Sequence, residues 1–116
     1  MFKKCFVCGQ IIKTSKGSKI TCCGKEMKTL KTNDKDASFE KHIPNYEIMY
    51  KRIKITVNHP MDEDHYIEWI MIENEQETHI KRLKPSEEAT AEFDMLENAT
   101  IYAYCNKHGL WKKEVE

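Results

Sequence analysis

The sequence predicts an all-β protein, and three observations carry that reading. Apolar and polar residues alternate in "YKRIKITV", so that Ile53, Ile55 and Val57 fall on one face of an extended strand. "HYIEWIMIE", "THIKRLK", "ATAEFDM" and "TIYAYC" repeat the theme at short intervals, rich in branched and aromatic residues. No segment carries an apolar stripe at helical spacing over three turns, and the breaks fall at Asn-His-Pro, Lys-Pro-Ser and Asn-Lys-His-Gly. A compact antiparallel sandwich accommodates such strands most simply. The pattern weakens across residues 74–88, where a long charged loop is expected.

The 116 residues suffice for one ordinary domain, or for a small module joined to a larger one. Polar and charged residues interrupt the apolar pattern at "LKTNDKDAS", which places a boundary near Asp36 and divides the chain into residues 1–36 and 37–116. The first segment is too short to bury a core of its own, so something other than apolar area must hold it together. It holds Cys5, Cys8, Cys22 and Cys23, four of the five cysteines. "CFVC" followed by Gly9 has the form of a metal knuckle, in which the glycine lets the backbone fold beneath an ion that two thiolates face. In "TCCG", adjacent side chains on a regular strand would face opposite ways. Cys22 and Cys23 can share an ion only if the backbone turns sharply, which Gly24 eases. A tetrathiolate site is the expected result, and zinc and iron both suit it.

Lys plus Arg equals Asp plus Glu at 19 each, so the whole-chain charge exerts no pull toward nucleic acid or an anionic membrane. No apolar run reaches signal-peptide or transmembrane length. A cytoplasmic protein is expected, and in a reducing compartment an odd number of clustered cysteines points to metal or redox chemistry rather than to disulfides.

Four of the five histidines, His42, His59, His65 and His108, stand beside a proline, a glycine or an acidic turn, at strand ends or in loops. Loops on a rigid scaffold are where binding residues concentrate. His79 sits among charged residues inside a strand pattern and is assigned no role. Cys105 and His108 lie three residues apart where a strand stops, a spacing that lets both side chains converge in a turn. Four imidazoles and one thiolate suit a redox-active ion whose potential the sulfur adjusts, and five protein ligands leave an octahedral ion one position for substrate.

"EKHIP", "HPM" followed by "HYIEWI", and "CNKHGLW", in that order behind a CxxC and a CC pair, resemble the two-iron superoxide reductases, or desulfoferrodoxins. The resemblance spans essentially the whole chain. It implies a desulforedoxin-like domain holding iron on Cys5, Cys8, Cys22 and Cys23, followed by an immunoglobulin-like β-sandwich with a mononuclear non-haem iron. His42, His59, His65 and His108 would be the equatorial ligands of that second iron and Cys105 its axial thiolate. Glu40 and Lys41 match the family's acidic and basic pair ahead of the first histidine. Lys41 would attract the superoxide anion, and Glu40 would occupy the sixth position of the ferric ion at rest. The implied reaction is one-electron reduction of superoxide to hydrogen peroxide without release of dioxygen. The implied cofactors are two iron ions and no organic group, the implied donor is rubredoxin, and the implied assembly is a homodimer.

Two other readings compete. An electron-transfer protein with both irons closed would bind neither azide nor cyanide, and a zinc-stabilised binding module would be colourless.

Overall fold

The computed structural model describes residues 1–15, 17–33 and 42–115. Among these every regular element is a strand, and no helix is long and apolar enough to cross a membrane. The chain forms two compact units, Met1–Lys31 and Thr32–Glu116. Residues 34–41 lie outside the described residues, and Asp36, Glu40 and Lys41 are among them.

The first unit is built from very short strands. β1 (Phe2–Lys4) pairs antiparallel with β2 (Ile11–Lys13), while β3 (Thr21–Cys22) and β4 (Lys25–Glu26) form a separate hairpin. On its other side β1 pairs with β5 (Lys28–Thr29). Its buried apolar side chains are Phe2, Cys5 and Met27 alone among the described residues. An apolar core of that size cannot offset the entropy of ordering some thirty residues.

The second unit is a sandwich of two sheets. It contains β6 (Thr32–Asn33), β7 (Asn45–Met49), β8 (Arg52–Thr56), β9 (Ile67–Glu73), β10 (Thr78–Arg82), β11 (Thr90–Asp94), β12 (Thr100–Cys105) and β13 (Gly109–Glu114). One sheet runs β10-β9-β12-β13-β6 and the other β11-β8-β7. All pairs are antiparallel except the short β13–β6 pair, which is parallel. Ile53, Ile55 and Val57 bury one face of the smaller sheet against Ile67, Ile70, Ile72, Ile101, Ala103 and Cys105 of the larger. The period of two in "TIYAYC" thus turns Ile101, Ala103 and Cys105 inward. Tyr104 takes the outer face, where its ring stacks on its cross-strand partner Trp69 at 5.6 Å.

The strand expected at "THIKRLK" is present, and the long loop expected over residues 74–88 is corrected to the segments on either side of it. Thr78–Arg82 pairs along its whole length with β9, after a turn in which Asn74 Oδ1 accepts the amides of Gln76 and Glu77. All five residues of that strand are exposed. An edge strand solvated on both faces needs no apolar alternation, so backbone pairing and the asparagine turn suffice to form it.

Burial, and then the nearby Glu73 carboxylate, push the Tyr102 phenol up to about 12. Its folded value is above the unfolded one, so its contribution to stability is complete below about pH 10 and is lost as pH rises toward 12. Alkaline titration followed by tyrosinate absorbance should show one late-titrating phenol, and Tyr102→Phe should shift the alkaline unfolding midpoint upward.

Candidate metal centres

His59 and His65 lie on the connection from β8 to β9, which joins the two sheets, and His108 lies in the β12–β13 hairpin of the larger sheet. His42 precedes the fully buried Pro44 and β7, and His59 lies just after β8. His65 closes a tight turn in which Asp62 and His65 exchange backbone hydrogen bonds of 3.0 and 3.3 Å. Cys105 ends β12 on its inward face, and β9 bulges opposite it: Tyr104 faces Trp69, but Cys105 faces Ile67, so Glu68 is skipped. The next three residues form the loop to β13, which Gly109 enters at φ +86°, a left-handed conformation that suits a three-residue hairpin ending in glycine.

These elements bring five ligand atoms, one each from His42, His59, His65, Cys105 and His108, within 4.8 Å of one another. The four imidazoles form a closed ring of neighbours, His42–His59–His65–His108 and back to His42, with centroids 4.6 to 4.9 Å apart. Cys105 Sγ lies 3.5 Å from His59 Nε2 and 3.7 Å from His108 Nδ1. His108 Nδ1 is also 3.0 Å from His42 Nε2 and 3.2 Å from His65 Nε2. A ring nitrogen has one proton or one lone pair, so it cannot hydrogen bond all three neighbours at once. One cation at the centre satisfies every one of them. Right-angled bonds of ~2.1 Å would separate adjacent ligand nitrogens by about 3.0 Å, and tetrahedral bonds by about 3.4 Å. The shorter pair matches the first value and the longer pair lies between the two. The donor set therefore fits one ion encircled by four imidazoles, with a sulfur to one side.

Residues outside this donor set hold it in place. His59 Nδ1 lies 2.6 Å from the Pro60 carbonyl, which fixes the proton on Nδ1 and leaves Nε2 as the ligand atom. Trp111 stacks on His42 at 4.7 Å, and its indole N–H donates to the His108 carbonyl. Asn106 accepts the Tyr66 amide, donates to the Asp64 carbonyl, and so ties the His108 loop to the His65 turn. Sequence reading missed Trp111 and Asn106, although both lie inside the "CNKHGLW" stretch that it singled out. Asn106→Ala removes both side-chain ties, and metal affinity at this site should fall ~10- to 100-fold, the usual effect of losing an outer partner. A competition titration with a chelator measures it.

The second cluster lies within the first unit. The Cys5–Cys8 knuckle is closed by backbone hydrogen bonds from Gly9 to Cys5 and from Cys5 to Gln10, with Gly9 at φ +82°. Opposite it, Cys23 at φ +54° and Gly24 at φ +77° form the two-residue turn of the β3–β4 hairpin, both left-handed as a type I′ turn requires. That reversal turns two adjacent cysteines toward one point. Cys8 Sγ is 3.7 Å from Cys22 Sγ, which is 3.9 Å from Cys23 Sγ. Tetrahedral metal–sulfur bonds of ~2.3 Å put sulfurs about 3.8 Å apart, so four thiolates around one ion fit the cluster. The Cys8 amide, donating to the Cys5 sulfur, pulls the Cys5 thiol down to about 6, whereas the Cys5 and Cys8 sulfurs push Cys22 up to about 12. Such crowded thiols cannot all ionise without a cation among them.

Residues 34–114 match the desulfoferrodoxin family model, a span that contains the whole His–Cys group. A desulfoferrodoxin homologue from Archaeoglobus fulgidus is 39% identical over 115 residues, covering 94% of this chain and 92% of that one. The chain belongs to the desulfoferrodoxin family. Another member, the desulfoferrodoxin of Nitratidesulfovibrio vulgaris, is 38% identical and covers 96% and 93% of the two chains. Among solved structures, the superoxide reductase of Treponema pallidum shares the fold, with a TM-score of 0.82, 23% identity, and coverage of 97% of this chain and 95% of that one. The one-iron superoxide reductase of Giardia intestinalis, at TM-score 0.59 and 26% identity, covers 66% of this chain and 98% of its own. As in its family, the chain has the sequence and fold of an iron-binding protein related to superoxide reductases.

Proposed function

We propose that the chain is a superoxide reductase, reducing superoxide to hydrogen peroxide by one electron and two protons at a ferrous ion held by His42, His59, His65, His108 and Cys105. The supporting observation is the closed ring of four imidazoles beside one thiolate, a donor set that fits one encircled ion with a position left for a small anion. When bound, that iron supplies the electron, and sulfur donation tunes its potential. The chain's own groups do the remaining work. His42 and Cys105, 1% and 0% exposed, are closed to water, while exposed His108 and half-buried His59 and His65 leave the group open to solvent. Lys41, next in sequence to His42, would concentrate the anion and stabilise the charge that develops on it. Glu40 would close the ion at rest and help to displace product. Water supplies the protons.

On this reading residues 1–36 hold a second iron on Cys5, Cys8, Cys22 and Cys23, and residues 37–116 are the reductase domain. The family resemblance supports a rubredoxin-like donor, a homodimer and a cytoplasmic setting. The test is a single turnover of the reduced, iron-loaded protein with superoxide, following peroxide and dioxygen together. One peroxide per superoxide and no dioxygen is the expected result. Dioxygen release, or a colourless zinc protein, would overturn the proposal.

A further inference from the structure

The balanced charge of the chain conceals a division between its two units. Residues 1–31 hold eight lysines and a single acidic residue, Glu26, a net of +7, and residues 32–116 therefore carry a net of −7. The basic unit has two of its four metal ligands at the surface, since Cys8 and Cys23 are exposed. Phe6 and Val7, inside the Cys5–Cys8 knuckle, are each 60% exposed, which is unusual for large apolar side chains in so small a unit. Phe6 is not loose. Lys4 and Lys28, cross-strand partners on β1 and β5, place their ammonium groups 5.3 and 5.6 Å from its ring centroid. Lys4 itself is buried, so of this pair Lys28 is the one at the surface. Lys25, also exposed, pairs with Cys22 at the foot of the Cys23–Gly24 turn.

We propose that this face, Phe6 and Val7 bordered by Lys25 and Lys28, docks an acidic one-electron carrier protein that reduces the ion on Cys5, Cys8, Cys22 and Cys23. The inference rests on the proposed iron tetrathiolate. In the step, the reduced carrier loses one electron and the tetrathiolate ion gains it, and no covalent bond or proton changes place. Fixed lysines steer an acidic partner, and two apolar side chains, one of them pinned, exclude water at contact with little entropy left to lose. The exposed thiolates then need no through-protein route to the donor. A purely structural ion would gain from burying those sulfurs, and this unit leaves two of them exposed.

The test uses the full-length, iron-loaded protein with purified rubredoxin as the acidic carrier, and titrates binding at about 10 mM and about 150 mM salt, between which the screening length falls from ~30 to ~8 Å. The double variant Lys25→Glu, Lys28→Glu should weaken binding by ~10-fold or more at low salt, the lower range of electrostatic steering, with the difference shrinking at high salt. Val7→Asp should weaken it at both salts, because a lost apolar contact is not screened. Reduction of the tetrathiolate absorption by the carrier should slow in parallel. Unchanged affinity in both variants would overturn the proposal. So would equally tight, substitution-sensitive binding of duplex DNA or anionic phospholipid vesicles, or a change in self-association alone. Single turnover with pre-reduced protein needs no carrier, so a failed reductase reading would appear there and a failed docking face only in the titrations.

Discussion

Cys105→Ser should eliminate the long-wavelength sulfur-to-iron absorption of the oxidised His–Cys centre and lower superoxide reduction by more than ~100-fold, beyond the range seen when only an outer-shell partner of a metal ligand is lost. Cys105 is fully buried and faces the core with Ile101 and Ala103, so serine fits without a clash and leaves the sandwich intact. What changes is the donor. A hydroxyl stays protonated where a thiolate would be charged, and the encircling imidazoles are all neutral ligands. The ion then loses the single anionic ligand within the group, along with the electron donation that adjusts its potential. Visible spectra of the oxidised protein, iron content and single-turnover rates measured on the same preparation check this. Retained iron with unchanged rates would show that sulfur donation is not needed. Retained iron with the band unchanged would place the absorbing sulfur elsewhere.

The parts of this protein visible in its sequence are those for which a few residues suffice. Ile53, Ile55 and Val57 reveal β8 because one face of that strand is buried and the other solvated. The same physics hides β7, whose residues are largely exposed and carry no alternation. Cysteines and histidines are visible because their ligand chemistry is rare among ordinary side chains. The five residues singled out on that ground are those whose ligand atoms the fold brings within 4.8 Å. Their convergence is another matter, since it depends on a β9 bulge opposite Cys105 and on pairings between strands far apart in the chain. Asn106 and Trp111 were overlooked because asparagine in a turn and tryptophan in a strand are common for other reasons. The division of charge at Lys31 was concealed by summing over the whole chain.

Cys22→Ser should unfold the first unit and leave the second folded and active. The sandwich has its own core of fourteen buried residues, and none comes from residues 1–31. The first unit buries Phe2, Cys5 and Met27, which at ~1.5 to 3 kcal/mol for each fully buried side chain falls far short of the ordering entropy of some thirty residues. Metal binding has to supply the difference, and structural zinc sites in small domains provide about 10 to 16 kcal/mol. Cys22 lies at the centre of its cluster, near both Cys8 and Cys23 and with its carbonyl against the Cys5 sulfur. Serine there leaves three thiolates around an ion that prefers four. Hydrogen exchange should show rapid exchange of the β1, β2 and β5 amides in the variant, with β9 and β12 protected as in the parent. The tetrathiolate spectrum should vanish, and the single-turnover rate with superoxide should remain within about twofold, because the His–Cys ligands all lie in the other unit. A lost superoxide reaction with an intact sandwich would instead show that the His–Cys centre depends on the first unit. Protected amides throughout the first unit would show that its fold does not depend on the metal.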